Sequence, residues 1–209
     1  MDFQPMKYVY KASGISGAHT LLLLHGTGGN EHDLLSFADF FPNDLNILSI
    51  RGNVEENGMP RFFKRIGMGI FDEKDLEFRT HEMIAFLKDL SDKENFDVTK
   101  LVALGYSNGA NIAGSALFLD PKFLAGAILL RPMLPFKKLR PTEKAANVPV
   151  FLSSGNQDQT VDLDQIELYS KILSDNGFLV DSELLPTSHN LTKTDLDLAA
   201  AWFDRHFSR

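Results

Sequence analysis

The chain has 209 residues, a formal net charge of -7 and no cysteine. A chain of this length can form an ordinary hydrophobic core, so we expect one domain over residues 1–209. The absence of cysteine excludes disulfide scaffolds, thiolate zinc sites and cysteine nucleophiles. The acidic balance argues against nucleic acid as a partner, because phosphate binding needs a strongly basic surface. With neither a signal-peptide pattern nor an apolar run of membrane-spanning length, a cytoplasmic protein is expected.

Short apolar runs alternate with amphipathic segments along the chain. Most of these runs are continuously apolar rather than alternating, which is typical of parallel strands covered by helices on both faces. Seven strands are predicted in this way, at residues 8–12, 20–25, 45–51, 100–106, 124–130, 149–154 and 178–185.

Helices are predicted between these strands from one apolar stripe and from capping residues. The stripe repeats at steps of three and four and indicates a helix that starts near Asp72. Asn30, Asp162 and Thr192 each have an acidic or amide partner three residues later, as helix N-caps do. The pair Asn176-Gly177 is typical of a helix end. The alternation of elements predicts the α/β class, with an open, doubly wound and mostly parallel sheet.

Two stretches, residues 52–70 and 131–147, match neither periodicity and are predicted to be long loops. Both follow a strand, and ligands bind at the carboxyl ends of the strands in sheets of this kind. Basic residues are concentrated in these loops despite the acidic net charge, namely Arg61, Lys64, Arg65, Arg131, Lys137, Lys138 and Arg140.

The motif that carries the chemistry is G-x-S-x-G at residues 105–109. It follows a predicted strand and precedes a segment rich in small residues. In this context the motif is typical of a nucleophile elbow, a sharp turn that lifts the serine hydroxyl clear of the sheet. Ser107 is therefore the candidate nucleophile.

A serine nucleophile needs a base that accepts its proton and a carboxylate that orients the base. In folds with this elbow the acid and then the histidine follow the serine, which leaves His189 and His206 as bases. His189 lies in a loop after the last predicted strand and is favoured over His206, which lies in the last turn of the final helix. Asp158 follows a strand and is favoured as the acid over Asp162, a helix cap, and Asp164, inside that helix.

The site also needs two backbone N–H groups that stabilise an oxyanion. One is expected from Asn108, directly after the nucleophile, and the other from the glycine-rich segment after the second predicted strand. The glycines of that segment lack nucleotide-binding spacing. His25, His32 and Asp33 are metal-ligating residue types in the same segment, but His25 belongs to the turn and Asp33 to a helix start. Neither a metal nor another cofactor is expected.

Five segments together resemble the small carboxylesterase/phospholipase branch of the α/β-hydrolases, at residues 25–34, 58–63, 105–109, 155–158 and 188–189. Within that branch the chain is similar to bacterial serine esterases associated with quinone or metal stress. The resemblance implies the α/β-hydrolase fold, and the chain length leaves no segment for a cap domain. It also implies a set of roles: nucleophile Ser107, base His189, acid Asp158, and oxyanion donors at the backbone of Thr27 and Asn108.

The expected substrate is a small carboxylic ester, cleaved through an acyl-serine intermediate. Met59, Phe62 and Phe63 are expected to contact it, with the phenylalanines as an apolar wall. Arg131 directly follows a strand and could pair with a substrate carboxylate, so aromatic or anionic esters are predicted. A thioesterase or lysophospholipase would use the same intermediate, and a hydrolase-fold binding protein could keep these residues with little turnover. The sequence is compatible with a monomer or a homodimer.

Overall fold

The computed structural model describes residues 3–67, 69–138, 141 and 143–208. Within these residues the strands are β1 (Tyr8–Lys11), β2 (Thr20–Leu24), β3 (Asn46–Ile50), β4 (Val54–Glu56), β5 (Met59–Arg61), β6 (Arg65–Gly67), β7 (Ile70–Phe71), β8 (Leu101–Tyr106), β9 (Gly126–Leu130), β10 (Pro149–Gly155) and β11 (Leu179–Leu185). The α-helices are α1 (Glu73–Glu94), α2 (Asn108–Leu119), α3 (Leu163–Asp175) and α4 (Lys193–Phe207).

The predicted mostly parallel sheet is confirmed. Seven strands form it in the order β1-β3-β2-β8-β9-β10-β11, and they are the seven that the apolar runs predict. Within this sheet, as far as the structure describes the chain, only the edge pair β1 and β3 is antiparallel, and the other neighbouring strands run parallel. All carboxyl ends of the parallel strands therefore meet along one edge of the sheet.

Strand β2 shows why the runs are continuously apolar. Its side chains alternate between two helix layers, so every position is buried. Leu22 and Leu24 pack into the core formed with α1, α2 and α3. Leu21 and Leu23 pack on the opposite face, where Trp202 of α4 is fully buried. The two helix layers hold the central strands, and hence their carboxyl ends, in fixed positions.

Three of the four predicted helix starts are confirmed. The Asp72 and Asp162 side chains accept hydrogen bonds from the first turns of α1 and α3. Thr192 and Asp195 form a reciprocal capping box at the start of α4. Asn176 is the C-cap of α3 and is followed by Gly177 at a φ of 88°, so the predicted helix end is confirmed.

The helix predicted after Asn30 is wrong. The Asn30 side chain accepts a hydrogen bond from the N–H of His32, two residues on, which closes a turn rather than capping a helix. A short 3-10 helix at Leu35–Phe40 follows. Pro42 follows closely and disfavours helical backbone at Phe41, whose φ and ψ are extended.

The first predicted long loop is also wrong, because it contains two small hairpins. Strands β4 and β5 pair across Asn57 and Gly58, which both have positive φ, the geometry that an Asn-Gly hairpin turn requires. Strands β6 and β7 form the second hairpin. In the second predicted loop, the described part of residues 131–147 holds no helix or strand, and Arg140 lies outside the described residues.

The described residues contain no helical cap domain over the sheet. None of the helices in the described part of the chain is long and apolar enough to cross a membrane.

Candidate active site

Ser107 occupies a sharp turn between β8 and α2. Its φ of 51° and ψ of -109° reverse the chain direction, and α2 begins at the next residue. Its N–H donates to the carbonyl of Leu130 on the neighbouring strand at 2.8 Å. Close packing requires the flanking glycines: a Cβ on Gly105 would lie 2.4 Å from a backbone oxygen, and one on Gly109 would lie 2.0 Å from the carbonyl oxygen of Leu24. The turn therefore has the geometry of a nucleophile elbow.

The backbone of Ser107 is strained, and this makes a prediction about stability. Glycine adopts this conformation without a Cβ clash, whereas alanine keeps the clash of serine. Glycine at this position relieves strain of about 1–3 kcal/mol. It also loses about 0.5–1 kcal/mol because glycine is more flexible in the unfolded chain, so its net gain in the free energy of unfolding is about 1 kcal/mol. We expect Ser107→Gly to be more stable than Ser107→Ala by that amount. Urea unfolding measures the difference, and equal stabilities would show that the turn is not strained.

His189 connects Ser107 to Asp158 through both of its ring nitrogens. Its Nε2 lies 3.0 Å from the Ser107 Oγ, and its Nδ1 lies 2.6 Å from the Asp158 Oδ2. With Nδ1 protonated toward the carboxylate, Nε2 presents a lone pair to the hydroxyl. The structure thus brings together the three residues that the sequence predicts as nucleophile, base and acid, from the elbow, the loop after β11 and the loop after β10.

The Asp158 carboxylate is shielded from solvent and held by its own loop. Its Oδ1 accepts from the N–H of Thr160 at 2.8 Å and from the Thr160 hydroxyl at 2.6 Å. Burial opposes ionisation, but the hydrogen bonds from Thr160 and the contact with His189 outweigh it, so the pKa of Asp158 lies below its usual value. The group is therefore an anion at neutral pH, and its second oxygen is free to orient the imidazole.

The competing residues lie elsewhere. His206 packs against Trp202 and lies 3.7 Å from Asp181 at the far end of α4. Asp162 accepts from the N–H of Asp164 as the cap of α3. Neither His206 nor Asp162 has a hydrogen bond to Ser107 or His189 among the described residues.

A second serine–aspartate pair, Ser153 and Asp195, lies inside the protein. The Ser153 hydroxyl donates to Asp195 at 2.5 Å, and the Arg131 Nη1 donates to both side chains. Ser153 and Asp195 are fully buried, and no histidine nitrogen contacts Ser153 among the described residues. Ser153 therefore has no neighbouring base and cannot reach a substrate, so we assign this pair a structural role.

The two predicted oxyanion donors come from different elements, the N-terminus of α2 and the turn after β2. The N–H of Asn108 belongs to the first turn of α2, where no intrahelical carbonyl is available to it. Thr27 lies in the exposed turn after β2. No described residue accepts a hydrogen bond from the N–H of Thr27 or of Asn108. Both groups can therefore donate to a developing negative charge.

One short segment, residues 60–62, supports both donors, and the sequence did not reveal this. Pro60 accepts from the N–H of Gly28 at 2.9 Å, and the Arg61 Nη1 donates to the Thr27 hydroxyl at 2.7 Å. The N–H of Phe62 donates to the Asn108 side-chain oxygen at 2.7 Å. The hairpin turn at Asn57-Gly58, the signal for β4 and β5, was the feature that could have placed this segment.

The predicted apolar wall is wrong for both phenylalanines. Phe62 and Phe63 are fully buried. Phe62 packs against His25, with the ring centres 4.7 Å apart, and Phe63 packs edge to face on Phe71. The hairpin turns both rings inward to complete the core. Met59 remains exposed and lies beside Gly28, so it is the one of the three that a substrate could contact.

The predicted contact between Arg131 and substrate is also wrong. Its side chain is fully buried and forms an ion pair with Asp195 at 2.7 Å, because the chain after β9 turns the guanidinium inward. Arg61 and Arg65 of the first loop both pair with Glu56, and Lys64 lies 4.0 Å from Asp75. Arg61, Lys64, Arg65 and Arg131 thus all lie against protein carboxylates, whereas Lys137 and Lys138 of the second loop are exposed.

His25 is held by the backbone at both ring nitrogens. Its Nδ1 lies 2.7 Å from the carbonyl oxygen of Gly26, and its Nε2 accepts from the N–H of Gly52 at 3.1 Å. Burial lowers the pKa of His25, so the ring is neutral. Within the described residues, no three His, Asp or Glu side chains converge to hold a metal ion.

A groove of about 410 Å³ opens beside the candidate oxyanion donor. Its walls are mainly apolar, from Leu34, Phe37, Tyr106 and Leu191, and Thr27 and Asp33 supply polar groups. Tyr106, which lines this groove, directly precedes Ser107 in the sequence.

Comparison with known proteins gives consistent matches. A family model described as phospholipase/carboxylesterase matches residues 11–206. The chain is 42% identical to the putative hydrolase MhqD of Bacillus subtilis over 198 residues, which cover 95% of this chain and 98% of MhqD.

Solved structures show the same similarity. A carboxylesterase of Bacillus cereus is 42% identical, with a TM-score of 0.94 over 97% of this chain and 95% of that one. A structure of YahD with malic acid is 32% identical, with a TM-score of 0.90 over 96% of this chain and 99% of that one. The chain thus shares its fold, over most of its length, with both of these proteins.

Proposed function

The chain belongs to the phospholipase/carboxylesterase family of α/β-hydrolases, and we propose that it hydrolyses small carboxylic esters through an acyl-enzyme on Ser107. The observation that carries the proposal is the pair of contacts at His189, 3.0 Å to Ser107 and 2.6 Å to Asp158. A serine hydroxyl becomes an effective nucleophile when a neighbouring base accepts its proton, and these contacts supply that base and its orienting carboxylate.

In the first half of the reaction, the Ser107 Oγ attacks the ester carbonyl carbon while the His189 Nε2 takes the hydroxyl proton. The imidazolium that forms is stabilised by Asp158. The tetrahedral intermediate then collapses, the bond to the alcohol breaks, and His189 returns the proton to the leaving oxygen. An acyl-serine remains, and no net proton has been gained or lost.

In the second half, water replaces the alcohol. His189 takes a proton from water, the hydroxide oxygen attacks the acyl carbonyl, and the Ser107 Oγ leaves with the proton that His189 gives back. In both halves the carbonyl oxygen becomes negative. The N–H groups of Thr27 and Asn108 are the proposed donors to that charge, and one such donor is typically worth about 100- to 1,000-fold in rate.

The groove beside Thr27 supports a substrate with one neutral, apolar arm. Its apolar walls would bury an alkyl or aromatic group, while the carboxylate of Asp33 at its rim would repel an anion. The buried ion pair with Asp195 makes Arg131, the predicted partner of a substrate carboxylate, inaccessible to an anionic ester. We therefore propose neutral esters, aromatic ones included, as the substrate class.

A matched panel of esters tests this substrate class. We expect p-nitrophenyl butyrate to have a kcat/KM about tenfold above that of the p-nitrophenyl hemiester of succinic acid, within the range for two like charges near a surface. Asp33→Asn should narrow the ratio, and Asp39→Asn, an exposed charge outside the groove, should not. A preference for the hemiester would contradict the neutral substrate class. The panel includes the anion because the YahD structure was solved with malic acid.

A thioester of the same acyl group separates the two kinds of acyl hydrolase. The same acyl-serine forms from either substrate, so the ratio of the two kcat/KM values reports only on the leaving group. We expect the oxygen ester to be favoured, and a large preference for the thioester would assign the chain to the thioesterases instead.

A further inference from the structure

Arg131 is a buried cation that directly follows β9. Its side chain has no solvent exposure, and its backbone has a left-handed φ of 56°. The Arg131 N–H donates to the carbonyl of Ser153 on the adjacent strand at 2.7 Å, which fixes where the side chain starts. The guanidinium therefore points into the protein, between the end of β9 and the start of α4.

One edge of the guanidinium binds Asp195. The Nη1 lies 2.7 Å from Oδ1 and the Nη2 lies 2.9 Å from Oδ2, a bidentate pair. Asp195 also accepts from the Ser153 hydroxyl and from Thr192. Burial opposes ionisation of Asp195, but the hydrogen bonds from Arg131, Ser153 and Thr192 outweigh it and lower its pKa. A buried ion pair adds little net stability compared with apolar side chains of similar size. The role of Arg131 must therefore be sought in the other hydrogen bonds of its guanidinium.

The remaining guanidinium donors hold the segment that carries His189. The Arg131 Nε donates to the carbonyl of Ser188 at 3.1 Å, and its Nη2 donates to the carbonyl of Asn190 at 3.1 Å. The Tyr106 hydroxyl donates to the carbonyl of His189 itself at 3.2 Å. Three successive carbonyls thus receive side-chain donors. The segment has neither helix nor strand, so these bonds replace the ladder that would otherwise hold it.

The other side of the same segment is fixed by β10 and the loop after it. A Cβ on Gly155 would lie 2.2 Å from the carbonyl oxygen of Thr187, so the two backbones are in direct contact. The N–H of Gln157 donates to the same carbonyl at 3.0 Å. The loop of Asp158 and the loop of His189 are therefore tied together, and the guanidinium closes the assembly from the side of α4.

We propose that Arg131 is a positioning residue for His189: with Asp195 as its anchor, it holds the carbonyls on both sides of the histidine and sets the imidazole between Ser107 and Asp158. This inference rests on the proposed function. Arg131 touches neither substrate nor reacting atoms, so its loss should affect proton transfer through His189 and leave substrate binding almost unchanged.

Arg131→Lys is the variant that tests the proposal. Lysine keeps the charge next to Asp195, but its single nitrogen cannot reach Asp195 and both carbonyls as the planar guanidinium does. We expect kcat for p-nitrophenyl butyrate to fall about 10- to 100-fold, because a misplacement of about 1 Å can cost about 100-fold. KM should stay within about twofold, and the rate at which a fluorophosphonate modifies Ser107 should fall with kcat.

Arg79→Lys is the matched control. Arg79 pairs with the fully buried Glu82 on α1, away from the His189 segment. It should lower the melting temperature without lowering kcat, measured well below that temperature. An Arg131→Lys enzyme with wild-type kcat and only a lower melting temperature would overturn the proposal, and so would an equal loss of kcat in Arg79→Lys.

Tyr106→Phe keeps the proposal testable if Arg131→Lys does not fold. It removes only the hydroxyl that binds the carbonyl of His189, a neutral hydrogen bond, and should lower kcat by about 2- to 10-fold with KM nearly constant. An unchanged kcat in that variant would count against the positioning role. If the wild-type protein hydrolyses no ester in the panel, the proposed function fails instead, which separates the two failures.

Discussion

Ser107→Ala is expected to lower kcat/KM for p-nitrophenyl butyrate by about 10⁴- to 10⁶-fold. The proposed reaction has no route without a nucleophilic oxygen at this position. The residual rate of the variant should come from substrate binding and from the oxyanion donors, which would still stabilise the attack of a water molecule on the ester. The fold should be unchanged, because alanine at Ser107 removes one oxygen from a side chain that is partly exposed at the elbow.

Ser154→Ala is the matched control for that variant. Ser154 is a buried residue near the carboxyl end of β10, and its hydroxyl has no hydrogen-bond partner among the described residues. Activity within about twofold of wild type is expected for this change, since it removes no contact of the site. If Ser107→Ala retained more than a few percent of the wild-type rate, another group would have to be the nucleophile.

Asp158→Asn is expected to lower kcat by about 10⁴-fold with little change in KM. An amide can donate to the His189 Nδ1, which favours the tautomer with a proton on Nε2. That tautomer faces Ser107 with a proton instead of a lone pair and cannot accept the proton of the hydroxyl. Because the pKa of Asp158 already lies below its usual value, lowering the pH toward 5 should not reproduce this loss through Asp158.

Asp162→Asn provides the control for the acid. Asp162 was the competing carboxylate, and the structure places it at the N-cap of α3. Asparagine is as good an N-cap as aspartate, so the variant should fold, and its kcat should lie within about twofold of the wild-type value. If Asp162→Asn lost most of its kcat while Asp158→Asn stayed active, Asp162 and not Asp158 would be the acid that orients His189.

Local sequence patterns predicted most of the sheet and the placement of Ser107, Asp158 and His189. Continuous apolar runs identify strands because both faces of each strand are covered, as β2 shows. The G-x-S-x-G motif is informative because Gly105 and Gly109 leave no space for a Cβ, so the motif reports the close packing of the turn. These signals depend on neighbours close in sequence or on a repeating environment.

The substrate contacts could not be predicted in the same way. The sequence predicts that Arg131 contacts the substrate, but its partner Asp195 lies 64 positions away and only the fold brings the two together. Phe62 and Phe63 lie in a segment that turns inward through the hairpin at Asn57-Gly58. In both cases burial is decided by a tertiary contact that leaves no periodic trace in the sequence.

The most direct test of Ser107 as the nucleophile is to find where a fluorophosphonate attaches. The protein is incubated with the reagent, its intact mass is measured, and the modified peptide is sequenced by tandem mass spectrometry, with Ser107→Ala treated in parallel. We expect one phosphonyl group per chain, attached to Ser107 and absent from the variant. A wild-type enzyme that hydrolyses esters yet carries no adduct, or carries it on another residue, would contradict Ser107 as the nucleophile.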